Sequence, residues 1–196
     1  IFNLFFSDWY IFFIAFHDKF KCFLKNRILI TGALGQLGEF FVRSLIDNNN
    51  YVLATDIKDN KILNCDFEYF DVLDEKRGDF LINKFKINQI YNFAAILSAK
   101  GEQNPLSTWE INNTGFTNIV KLCLKNNVNR IFWPSSIAVF GRNSNLNLVN
   151  NDEPMLPETM YGVSKLACEK SMFYFNNKNL LDIRSIRFPG IVSNSK

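Results

Sequence analysis

Histidine is almost absent from this chain, with His17 the only one among 196 residues. A Ser-His-Asp or Cys-His nucleophile system would have to recruit that ring from outside the core. A multi-histidine metal site is impossible, and no metal is expected. Cysteine is sparse and scattered. Cys22, Cys65, Cys123 and Cys168 stand far apart with no C-x-x-C pair, which reads as reduced thiols in a non-secreted protein. Charge of one sign is scarce too. A formal net charge of +3 with no lysine or arginine run makes nucleic acid and anionic membrane poor partners. Long apolar runs are also missing. The stretch Trp9–Phe16 is too short to span a bilayer, and Asp8 precedes it.

What the chain does have is a hydrophobic content of 47%, too high for a disordered protein, and a length suited to one buried core. Residues 1–26 differ from the rest. They are crowded with aromatics and carry Lys19, Lys21 and Lys25. The order of charge and apolar residues is wrong for a secretory signal, and a transit peptide would hold more arginine. This extension is either a targeting segment or spurious upstream sequence, and the opening isoleucine suggests that the true N-terminus lies elsewhere. The domain proper is read as 27–196.

From Arg27 the pattern alternates. Strands are expected at Arg27–Thr31, Tyr51–Thr55, Phe67–Phe70, Ile90–Phe93, Arg130–Trp133 and Asp182–Phe188. Helices are expected at Gln36–Asp47, Asp74–Lys86, Thr108–Asn126 and Tyr161–Asn176. Such alternation predicts an α/β fold, a doubly wound parallel sheet of Rossmann type covered on both faces. The asparagine clusters at 48–50 and 143–151 read as loops. Ligands of such folds sit beyond the carboxyl ends of the strands. Segments that would close over a substrate there would follow Lys196, so the chain is expected to be truncated before its substrate-binding part.

Three constellations carry chemistry. The first is Gly32-x-x-Gly35-x-x-Gly38, placed between an apolar strand and a helix. Its glycines permit a tight turn, close approach of a pyrophosphate and close helix packing, while the helix N-terminus offers N–H groups to the anion. The second is Asp56, 24 residues after Gly32 at the end of the second strand. A carboxylate there accepts from both ribose hydroxyls of adenosine and repels a 2′-phosphate, favouring NAD over NADP, with Lys58 softening the preference. Asp71-Val72 after the third strand could contact adenine.

The third is Tyr161-Gly-Val-Ser-Lys165, preceded by Ser135-Ser136 after the fifth strand. A spacing of four sets tyrosine and lysine on one helical face. An ammonium nearby lowers the phenol pKa, so the tyrosine can take a proton from an alcohol as hydride leaves its carbon. Ser136, with Ser135 beside it, could hold the substrate oxygen.

With T-G-x-x-G-x-x-G, a strand-end Asp, a serine after strand five and Y-x-x-x-K in order, the chain resembles the extended short-chain dehydrogenase/reductases, the NAD-dependent epimerase/dehydratase family. The segments Ile30–Gly38, Pro134–Gly141, Thr159–Lys165 and Arg184–Ile191 are similar to members that oxidise L-threonine. The resemblance implies NAD as cofactor, L-threonine as small-molecule substrate and 2-amino-3-oxobutanoate as product. By the same resemblance Gly32, Gly35, Gln36, Leu37 and Gly38 hold the pyrophosphate and Asp56, Ile57 and Lys58 the ribose. Asp71 and Val72 line adenine, Ala94 and Ala95 pass beneath the cofactor, and Tyr161, Lys165 and Ile191 meet its nicotinamide end. Tyr161, Lys165 and Ser136 are implied as catalytic. Ser98, Ser135, Ser136 and Tyr161 are implied to touch substrate, and Asn112 supports the site. A homodimer through Thr108–Asn126 and Tyr161–Asn176 is implied, located in the mitochondrion for a eukaryotic source and otherwise in the cytoplasm. Two other readings stand beside it: a nucleotide-sugar epimerase or dehydratase, and a non-catalytic NAD-binding fragment.

Overall fold

A computed structural model describes residues 26–48, 50–59, 64–141 and 153–190. Ile191 and the first 25 residues lie outside them. The apolar run at the start of the domain forms β1 (Arg27–Thr31), which is followed by α1 (Gln36–Asp47), β2 (Tyr51–Asp56), β3 (Asp66–Tyr69) and α2 (Glu75–Phe85). Next come β4 (Gln89–Asn92), the short α3 (Ser98–Gly101), α4 (Pro105–Trp109) and α5 (Gly115–Asn126). The rest comprises β5 (Arg130–Phe132), β6 (Ser135–Ser136), α6 (Met160–Asn177), β7 (Asp182–Arg184) and β8 (Arg187–Phe188).

Six strands form one sheet in the order β3-β2-β1-β4-β5-β7, parallel throughout. The order reverses beside β1, where a doubly wound sheet opens a crevice at its carboxyl edge. Alternation along the strands divides the core. Leu29, Leu53, Ile90, Ile131 and Ile183 pack with Leu81, Ile119, Leu122 and Met172 of α2, α5 and α6. On the opposite face Ile28, Ile30, Val52 and Ala54 pack with Val42, Phe41 and Leu45 of α1. Central strands are thus buried on both sides, which is why they read as continuous apolar runs.

The expected elements are present with three differences. The last strand divides, because β7 continues the main sheet while β8 pairs with β6 in a separate two-stranded ladder. The long central helix begins at Pro105 and passes through a π turn, Glu110–Thr114, before α5. The four-residue α3 carries too little periodicity to be seen in sequence. Helix α2 ends on Lys86 in the left-handed region and α5 on Asn127, each stopping its helix one residue after the last regular turn. Among the described residues no helix is long and apolar enough to cross a membrane.

Candidate active site

At the end of β1 the chain turns sharply through Gly32, whose φ of 62° lies in the left-handed region. A Cβ there would also stand 2.8 Å from the Ala94 nitrogen, so glycine is required twice over. Thr31 fixes that neighbour, since its hydroxyl accepts from Ala94 N–H at 3.2 Å and donates to Asn92 Oδ1 at 2.6 Å. A Cβ on Gly38 would meet the Gly32 oxygen at 2.1 Å, so α1 lies directly on the turn. Gly35 is the N-cap of α1 and supplies no side-chain acceptor. The first N–H groups of the helix therefore remain available to the cavity that Gln36, Leu37 and Gly38 border. An uncapped helix start at an open cavity fits the pyrophosphate of a dinucleotide.

Asp56 stands at the carboxyl end of β2, and its carboxylate accepts from Leu34 N–H at 3.1 Å and Lys58 N–H at 3.2 Å. It thus holds the glycine turn in shape. Ile57 and Lys58 are exposed beside it. Asp71 accepts from Leu73 N–H at 2.9 Å, closing a local turn. The Val72 side chain belongs to the core, and its carbonyl accepts from Asn118 Nδ2 at 3.2 Å.

The reacting end is built on α6. Thr159 caps the helix by accepting from Gly162 N–H at 3.0 Å, and Glu102 accepts from Met160 N–H at 2.8 Å. One turn apart, Tyr161 and Lys165 then face the same cavity. Asn112, in the π turn, accepts from Ile96 N–H at 2.8 Å and donates to Ile96 oxygen at 3.1 Å and to Ser164 Oγ at 3.1 Å. It ties the loop after β4 to the helix that carries Tyr161.

Lys165 is only 2% exposed. Its ammonium donates to Pro134 oxygen at 2.7 Å and lies 4.3 Å from the Trp133 ring centroid and 5.4 Å from that of Tyr161. Burial pushes its pKa down to about 8. Burial pushes the Tyr161 phenol up, and a hydrogen bond with Ser136 partly offsets this. Contrary to the expected lowering of the phenol by the lysine, burial is the dominant influence on it here.

One cavity of about 460 Å³ brings together Gly32, Gly35, Gln36, Leu37, Gly38, Ala95, Ser98, Ser135, Ser136, Tyr161 and Lys165. Asp56, Ile57, Lys58, Asp71, Val72 and Ala94 are not part of its lining, and Ile191 lies outside the described residues. The structure also corrects the reading of Ser135. Ser135 borders the cavity, yet its hydroxyl donates to Glu169 Oε1 and is not presented to a substrate. Sequence reasoning passed over Phe188, Pro189 and Gly190, which form a wall; their place just past a strand end was the available signal. A second cleft, of about 560 Å³, opens at the amino ends of β5 and β7 beside Cys123, Asn127 and Asn176. Burial pushes the Cys123 thiol up and keeps it protonated. Among the described residues no group of three or more His, Cys, Asp or Glu could hold a metal ion.

Residues 28–195 match the NAD dependent epimerase/dehydratase family. An uncharacterised epimerase/dehydratase of Staphylococcus saprophyticus is 40% identical over 180 residues, which cover 87% of this chain and 55% of that protein. A structure described as a monomeric L-threonine 3-dehydrogenase from a metagenome shares 38% identity at a TM-score of 0.75, over 85% of this chain and 54% of that one. UDP-glucose 4-epimerase from Brucella ovis is 22% identical at a TM-score of 0.77, covering 83% of this chain and 51% of its own, a likeness of fold alone. The chain spans about half the length of these proteins.

Proposed function

The chain belongs to the NAD dependent epimerase/dehydratase family, and from that premise we propose that the whole protein oxidises L-threonine with NAD to 2-amino-3-oxobutanoate. One observation carries the reading: Ser136, Tyr161 and Lys165 line the same cavity as the uncapped glycine turn. The 38% identity with an L-threonine 3-dehydrogenase supports threonine over a sugar nucleotide.

The N–H groups of Gln36, Leu37 and Gly38 at the start of α1 would hold the pyrophosphate, Asp56 the adenosine ribose, and Lys165 the nicotinamide ribose. Asp56 favours NAD, because a carboxylate repels a 2′-phosphate. NAD, when bound, supplies the hydride acceptor. Tyr161, as phenolate, takes the hydroxyl proton of the alcohol as hydride leaves the same carbon. Ser136 holds that oxygen beside the phenol, and Ser98 borders the same space. Ordinary phenols ionise near pH ~10. With burial raising Tyr161 further, turnover should climb with pH through a single ionisation.

Tyr161→Phe tests the assignment. Threonine-dependent NADH formation should vanish, while NADH binding, followed by fluorescence, should stay nearly unchanged because the phenol acts on the substrate. A Tyr161→Phe enzyme that retains the wild-type rate removes the tyrosine from its role. An enzyme indifferent to threonine yet active on UDP-glucose would restore the epimerase reading. We further place a homodimer contact on α5 and α6, whose outer faces carry exposed Leu124, Phe173 and Tyr174.

A further inference from the structure

Glu169 follows Lys165 by one helical turn on α6 and is 5% exposed. Its carboxylate collects three donors. Arg187 forks onto it, Nε to Oε1 at 2.9 Å and Nη2 to Oε2 at 2.8 Å, and Ser135 Oγ closes on Oε1 at 2.5 Å. Buried charge is costly unless it is paired and its lone pairs are filled, and here both conditions are met. Burial pushes the Glu169 carboxyl up, but the hydrogen bonds from Arg187 and Ser135 outweigh it and hold the group below the ordinary carboxylate range. Phe140 backs the guanidinium at 5.1 Å, and Met155 Sδ lies 3.2 Å from Nη2.

The two strands that Glu169 touches pair with each other. Ser135 sits opposite Arg187 in the β6–β8 ladder, and Ser136 sits opposite Phe188. Each strand is two residues long, too short to keep its register by backbone bonds alone. Glu169 grips both sides of the first rung. The second rung, Ser136 and Phe188, lines the cavity.

We propose that Glu169, forked by Arg187 and closed by Ser135, is a positioning residue that locks the β6–β8 rung and thereby aims Ser136 at Tyr161. The inference rests on the reading of Ser136 and Tyr161 as the reacting pair. Glu169 itself is not part of the cavity lining.

Two measurements on the whole protein decide it. The first compares wild type, Glu169→Gln, Ser136→Ala and the double variant for kcat, KM and NADH affinity. Glu169→Gln should lower kcat about tenfold with little change in NADH affinity, and should add almost nothing once Ser136 is gone, because coupled residues are non-additive. A full further tenfold loss in the Ser136→Ala background, or an unchanged kcat, overturns the proposal. The second measures amide exchange at Ser135, whose N–H donates to Ile186 oxygen at 2.9 Å. Protection there should fall in Glu169→Gln while β1 and β4 stay protected; unaltered protection at Ser135 overturns the clamp. This arm needs no substrate, so it decides even where wild type fails to oxidise threonine and the functional reading falls. Arg187→Lys, which keeps the charge but loses the fork, should behave like Glu169→Gln and takes its place if that variant does not fold.

Discussion

Lys165 is a cation with scarcely any water around it. Its pKa falls from 10.5 to about 8 through burial. The sign of the effect on stability follows directly. Below pH 8 the group is protonated in both folded and unfolded chains and adds no slope. Between about 8 and 10.5 the unfolded chain binds more protons, so stability gains from this residue as pH rises through that window. Urea unfolding across neutral to alkaline pH should show this gain in wild type and lose it in Lys165→Met. Parallel profiles for the two proteins would mean that the ammonium is not paying a desolvation cost. Glu169 shows how such residues escape a reading of sequence. A glutamate on a helix usually faces water, and nothing local announces that its partner is Arg187, 18 residues on in a two-residue strand. Tyr161 and Lys165 were visible because their spacing alone defines a shared face.

Helix α6 and the turn after Ser136 are separated by almost nothing. A Cβ on Gly162 would lie 2.2 Å from Ala138 oxygen and 2.8 Å from Pro157 Cβ. Gly162→Ala should therefore push the Ile137–Val139 turn away and destabilise the fold by about 1–3 kcal/mol, as overpacking does, with chemical denaturation as the measure. An alanine variant as stable as wild type would show that the turn yields freely. Most elements were legible at this scale. The buried strands announced themselves as runs such as Ile28-Leu29-Ile30, and the helix bounds were read to within a residue or two at α1 and α2. The division of β7 from β8 was not. Residues 182–188 form one run of strand character, and only tertiary pairing with β6 decides where it leaves the sheet. The π turn was hidden for a similar reason. Its fifth residue is accommodated because Asn112 bonds to Ile96 and Ser164, both distant in sequence.

Across the whole molecule, α5 and α6 expose apolar side chains, Leu124 on the one and Phe173 and Tyr174 on the other. Phe173 is 56% and Tyr174 58% exposed, and covering these two neighbouring rings against a second copy would remove their apolar surface from water. Light scattering on the whole protein should give the mass of a dimer, and Phe173→Glu should reduce it to a monomer without loss of fold. A monomeric wild type, such as the metagenomic threonine dehydrogenase is described to be, would remove the dimer.

The strand order also sets a timetable. β1 meets β2 across a connection that holds only α1, whereas β5 waits for β7 until α6 has been laid down. Near contacts close sooner than distant ones, because loop closure costs entropy. A chain emerging from the ribosome can therefore shape its glycine turn long before Arg187 has been synthesised. The turn proposed to hold the nucleotide can form first, and the proposed alignment of Ser136 with Tyr161 must wait for the arginine that reaches Glu169.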